Sequence, residues 1–231
     1  MIRAAIFDLD GTLADTAADL VAAANAVAAE EGWPALDPVG DRTTAGRGSR
    51  ALLRLAMARA GCDDADRVER LVPRFLELYE DRIDAESRLF PGALACLDAL
   101  QADGWRLGLC TNKPEGLARL LLDRLGIAAR FAAILGADTL PVRKPDPLHL
   151  IETVRRAGGV ITQAVLIGDT DTDRRTASAA GTPCILTRFG YATVPPETLA
   201  PEALIDDLSE VPAVAAALLA NRAPAAAHTG S

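Results

Sequence analysis

Two aspartates, Asp8 and Asp10, stand two residues apart at the end of the apolar run AAIF, and Gly11 follows them in AAIFDLDGTLADT. Alternate side chains of an extended segment share a face, so both carboxylates begin on one side, and a glycine lets the backbone turn away sharply. Other polar residues follow aliphatic runs in the same way: Thr111 and Asn112 after LGLC, and Asp169 after AVLIG. If Asp8, Asp10 and Asp169 meet, three negative charges share one small volume, which is costly unless a cation compensates them. A few carboxylates with room for water and phosphate suit Mg2+ better than an enclosed Ca2+ site. The acidic stretch GDTDTDRRTASAAG is not an EF-hand loop, because its sixth and twelfth positions are Arg174 and Ala180 in place of glycine and glutamate.

A carboxylate beside Mg2+ can also react. Asp8 can attack phosphorus to form an aspartyl phosphate, while Asp10 gives a proton to the leaving oxygen and later takes one from water. The transferred group also needs its equatorial charge neutralised, for which the Thr111 hydroxyl and the Lys144 ammonium are the candidates. Alone each is weak, since a Thr-Asn pair after a strand commonly caps a helix and a loop lysine is usually solvated. Lys144 stands out because the prolines of RKPDP fix the backbone behind it, where a helix begins. Asp173, one turn beyond Asp169, is placed to hold the water shell of the metal or to pair with Lys144. Asp171 is read as a cap of the following helix and is left out of the site.

The three aliphatic runs that carry these residues read as buried parallel strands. PEGLARLLLDRLG and DPLHLIETVRRAGG lie between the last two, each with a helical pattern closed by glycine. Alternation of strand and helix predicts a doubly wound, Rossmann-like parallel sheet of the α/β class, whose ligands sit outside the carboxyl ends of the strands. Residues 16–87 differ, with no convincing strand and three helical stretches, TAADLVAAANAVAAEEG, SRALLRLAMARAG and DADRVERLVPRFLELYEDRI, the last kinked or broken at Pro73. They predict an inserted α-helical cap domain. The core is then residues 1–15 and 88–221, with residues 222–231 a flexible tail.

Composition narrows the function classes. The chain has 231 residues, half of them hydrophobic, and a net charge of -8, which argues against a nucleic-acid partner. Its four cysteines show no CxxC spacing, and two histidines are too few for a zinc cage, so reduced structural thiols are expected. MIRAAIFDLD enters a strand pattern at once and no apolar run approaches 18 residues, which predicts a cytoplasmic protein with no membrane partner.

DLDGTLADT, LCTNK, RKPDP and GDTDTD occur in the order and spacing of the haloacid dehalogenase superfamily, and the chain from about Ile2 to Leu219 resembles its phosphoglycolate phosphatase branch. FPGA and RFGY, at residues 188–191, are supporting details. The resemblance implies Asp8 as nucleophile, Asp10 as general acid and base, Thr111 and Lys144 as phosphate binders, and Mg2+ held by Asp8, the Asp10 carbonyl and Asp169. Gly11 and Asn112 complete the expected phosphate-binding set. The implied activity is hydrolysis of a small phosphorylated metabolite, 2-phosphoglycolate first, by a monomer or homodimer. Sugar phosphates, nucleotides and pyrophosphate are alternative substrates within the superfamily. Dehalogenases of this fold lack the second aspartate, and phosphosugar mutases generally carry a histidine where this chain has Leu20. A non-enzymatic interaction module would usually show a broken motif. In the cap, Arg47, flanked by Gly46 and Gly48, is the candidate for a bidentate grip on a substrate carboxylate, although loop arginines are commonly solvated.

Overall fold

The structure, a computed structural model, describes residues 2–221, and the expected C-terminal tail lies outside the described residues. Six parallel strands form the sheet: β1 (Ala4–Phe7), β4 (Arg106–Cys110), β5 (Ala133–Leu135), β6 (Ala164–Gly168), β7 (Cys184–Thr187) and β8 (Ala203–Ile205), in the order β5-β4-β1-β6-β7-β8. The chain builds outward on one side of β1, then crosses to the other, which is the doubly wound arrangement expected. Phe7 lies opposite Leu109 on one side and Ile167 on the other, so the first strand and its two neighbours end nearly level. The Asp8 amide extends this register by donating to the Ile167 carbonyl at 2.9 Å.

Every residue of β1 and β6 is buried, because helices cover both faces of the sheet. Ala5, Phe7, Leu109 and Ile167 face one core, against which α5 (Ala93–Ala102) and α9 (Val211–Ala220) pack. Ala4, Ile6, Cys110 and Leu166 face the other, against α7 (Pro147–Arg156) and α8 (Asp171–Ala179). Cys96, Cys110 and Cys184 are buried free thiols and Cys62 an exposed one, so no disulfide forms among them.

Between β1 and β4 the chain leaves the sheet through a two-residue strand, β2 (Ala14–Asp15), and returns through β3 (Arg88–Leu89), paired antiparallel with it. Between them lie α1 (Ala17–Glu31), α2 (Arg42–Ala45), α3 (Ser49–Arg59) and α4 (Ala65–Glu80). Helices α1, α3 and α4 pack on one another, and α2 is a single turn that sequence patterning does not reveal. The expected break at Pro73 is absent: α4 runs 16 residues through it. Val68, Val72, Phe75 and Tyr79 form its buried stripe, and Pro73 lies exposed, so packing holds a helix that the proline weakens. The α1 amides of Thr16 and Ala17 donate to the Tyr191 hydroxyl at 2.6 and 2.9 Å, which satisfies a helix start that lacks a side-chain cap of its own.

Candidate active site

The level strand ends bring Asp8, Thr111 and Asp169 to one edge of the sheet, and the turn before α7 adds Lys144. Oxygens of Asp8, Asp169 and Asp173 lie within 4.8 Å of one another. Lys144, 3% exposed, bridges two of them, with Nζ 2.9 Å from Asp8 Oδ2 and 2.6 Å from Asp173 Oδ1. Thr170 and Asp173 form the capping box that starts α8, so the acid that closes the helix also anchors the lysine. Asp171, the expected cap, is instead the first residue inside α8.

Three buried carboxylates against one ammonium leave an excess of negative charge. Burial pushes the Asp8 carboxyl up to about 6, with Lys144 pulling down and Asp173 pushing up. Burial, then the charges of Asp173 and Asp8, push Asp169 well above the ordinary carboxylate range. Burial disfavours the Lys144 ammonium, but Asp173 and Asp8 more than offset it, and its pKa is raised. A divalent cation fits this donor set, since it would supply the missing positive charge to hard oxygen ligands.

Gly11 makes the crowding possible. At φ +81° a Cβ there would lie 2.3 Å from Asp169 Oδ2, a position that only glycine tolerates. Asp169 is in turn fixed by the Thr12 hydroxyl, which donates to Oδ1 at 3.0 Å, and by the Tyr191 amide, which donates to Oδ2 at 2.7 Å. Asp10 turns elsewhere: its Oδ1 accepts from the Thr16 hydroxyl at 2.6 Å and from Lys113 Nζ at 2.8 Å. Thr111 is buried, and its hydroxyl accepts from the Lys113 amide at 3.2 Å. The Asn112 amide donates to the Lys144 carbonyl at 3.0 Å and so pins the turn that carries the lysine. Above them opens a cavity of about 570 Å³, walled by strand-end residues on one side and by Arg47, Phe75 and Tyr79 of the helical insert on the other. Arg47 is exposed and lines that cavity.

His149, buried on α7, steadies the same turn: its Nδ1 accepts from the Lys144 amide at 3.2 Å. Burial, then the nearby Lys144 charge, lowers its pKa from 6.5 to about 4. The unfolded chain therefore binds a proton that the native state refuses between those values, and stability is lost as pH falls through that window. Thermal melts across pH 4 to 7 should show this decline, and His149→Asn, which keeps an acceptor but cannot be protonated, should flatten it. An unchanged pH profile in the variant would assign the decline to other groups.

Residues 5–187 match the family described as Haloacid dehalogenase-like hydrolase. The chain belongs to the haloacid dehalogenase-like hydrolases. Among relatives, a protein of Caulobacter vibrioides named phosphoglycolate phosphatase is 43% identical over 92% of this chain and 90% of its own. One of the same name from Agrobacterium fabrum is 42% identical over 96% of both. A crystal structure described as a predicted phosphoglycolate phosphatase from Haemophilus somnus superposes with a TM-score of 0.84 at 27% identity, covering 92% of this chain and 97% of that one.

In this haloacid dehalogenase-like hydrolase, several site residues go beyond those read from sequence. Lys113 had a signal, since it closes the LCTNK motif that also carries Thr111 and Asn112. Thr12 and Tyr191 stand within DLDGTLADT and RFGY, but nothing local assigns them a role, since their bonds to Asp169 join residues far apart in the chain.

Proposed function

We propose that this hydrolase is a Mg2+-dependent phosphatase that cleaves a small phosphomonoester, 2-phosphoglycolate first among the candidates, through an aspartyl phosphate on Asp8. The observation that carries this is the placement of Asp8, which lines the cavity, against Lys144 beside two further buried carboxylates. Relatives named phosphoglycolate phosphatase at over 40% identity support the substrate.

An Asp8 oxygen attacks phosphorus as the ester P–O bond breaks, and Asp10 protonates the departing alkoxide. Asp10 then takes a proton from water, which attacks the phosphorus of the aspartyl phosphate and frees inorganic phosphate and Asp8. Lys144 and Thr111 neutralise charge on the phosphoryl oxygens, and Asn112 holds Lys144 in place. Bound Mg2+ supplies the positive charge that offsets the carboxylates and the transferring group. Hydrolysis is favoured over mutase chemistry because buried Leu20 lines the cavity, where it offers no proton-handling group. The insert α1–α4 serves as a cap, with residues 16–87 as its extent.

A kinetic panel of phosphoglycolate, hexose phosphates, nucleotides and pyrophosphate with Mg2+ tests the substrate. Phosphoglycolate should give the highest kcat/KM, and preference for another ester would remove it while leaving the phosphatase chemistry. Arg47→Ala should reduce kcat/KM for phosphoglycolate by about 1.5 to 3 kcal/mol, the worth of a hydrogen bond to a charged group. Hydrolysis of p-nitrophenyl phosphate, which has no carboxylate, should change far less. Equal losses on both would make Arg47 a support of the cap.

A further inference from the structure

Lys113 is a buried cation at the boundary between the sheet and the helical insert, 6% exposed. Its Nζ donates to Asp10 Oδ1 at 2.8 Å and to the Tyr79 hydroxyl at 2.8 Å, and lies 4.4 Å from the centroid of the Tyr79 ring. Tyr79 sits one residue before the end of α4, 1% exposed, with its ring stacked beside Phe75. A single ammonium therefore joins the insert to the carboxylate proposed as the proton carrier. Burying an ammonium is unfavourable unless it is well paired, so a chain that needed only packing here would be served by an apolar side chain.

The pairing has a direction at the level of atoms. Both donors to the Asp10 carboxylate, Lys113 Nζ and the Thr16 hydroxyl, bond to Oδ1. Oδ2 is left to carry the proton, and rotation of the carboxylate is opposed by two bonds on the other oxygen. Burial pushes the Tyr79 phenol up to about 12, so it stays protonated and neutral beside the ammonium.

We propose that Lys113 and Tyr79 are positioning residues that fix the Asp10 carboxylate with Oδ2 toward the leaving oxygen, so that α4 of the insert, through Tyr79, sets the efficiency of proton transfer. This rests on Asp10 as the proton carrier. It follows that the pair matters most for alkyl phosphates, whose alkoxide must be protonated as it departs. It matters least for p-nitrophenyl phosphate, whose phenolate leaves unprotonated.

The test compares kcat/KM, which reports transfer to Asp8, for p-nitrophenyl phosphate and two alkyl esters, 2-phosphoglycolate and glycerol 2-phosphate, in the full chain with Mg2+. Lys113→Met should lose on the order of 100-fold on the alkyl esters, within the range of a general acid, and less than about 10-fold on the aryl ester. Tyr79→Phe, which deletes one oxygen, should show the same selectivity at about 3- to 10-fold. Lys113→Arg should recover most of the alkyl activity, and adding Tyr79→Phe to Lys113→Met should cost nothing further. Equal losses on both ester types, or a rise in KM alone, would overturn the proposal. Should Lys113→Met fail to fold, Tyr79→Phe decides it alone. Asp10→Asn separates the two levels. If its loss is selective for alkyl esters while the Lys113 and Tyr79 variants show none, only the positioning role falls; if it is equal on all esters, Asp10 is not the proton carrier and both fall.

Discussion

Asp8→Asn should yield a folded protein whose turnover is reduced at least about ten-thousand-fold, the scale of loss when a nucleophile is removed. An amide oxygen is a poor nucleophile, and the neighbouring carboxylates are held in other pairings: Asp173 with Lys144 and Thr170, Asp169 with Thr12 and Tyr191, and Asp10 with Thr16 and Lys113. Stability should respond in the opposite sense. The folded Asp8 carboxyl titrates near 6 against an ordinary 3.8, so ionised Asp8 works against the metal-free fold above pH 6. The neutral asparagine should then melt no lower than the wild type at pH 7 in the presence of chelator. Quenched turnover should trap an acid-labile phosphate on wild-type Asp8 and none on the variant. Substantial residual turnover, or label on serine or histidine only, would refute the assignment.

Exhaustive chelation should stop hydrolysis of every ester, and Mg2+ should restore it. The same ion should raise the melting temperature, because the carboxylate cluster is under-compensated without it. At a concentration of about 100 times Kd, binding contributes about 2.7 kcal/mol, or roughly 5 to 10 °C for a chain of this size. Asp169→Asn should diminish both effects, since burial and the charges of Asp173 and Asp8 all push the Asp169 carboxyl above the ordinary range. Full activity after chelation, or a melting temperature indifferent to Mg2+, would remove the metal from the mechanism.

The sheet was legible in sequence where a strand ended in chemistry. β1, β4 and β6 are continuous apolar runs bounded by polar residues, whereas β5 and β8 are three residues each and carry no period to detect. Helix α4 shows the limit of a local rule: proline disfavours the helix interior, yet the stripe from Val68 to Tyr79 gains enough by packing to keep it whole. Of the candidate site, the residues that announce themselves are those with a motif around them, such as Asp8, Lys144 and Asp169. Their supports are set by tertiary approach. Tyr191 reaches Thr16 from 175 positions away, and no spacing within a short window encodes that.

The central place of β1 bears on how the molecule is made. Its two neighbours in the sheet lie far downstream, Ala4 facing Arg106 on one side and Ala164 on the other. During synthesis at ~5–20 residues per second, β1 waits on the order of ten seconds or more after its own translation before its second neighbour exists. For that interval AAIF is an apolar segment with an open edge, a target for chaperones and for wrong pairings. The helical insert, whose helices α1, α3 and α4 pack on one another within residues 17–80, can form in the meantime. The two aspartates at the end of β1 are thus translated well before the strands that put them in place.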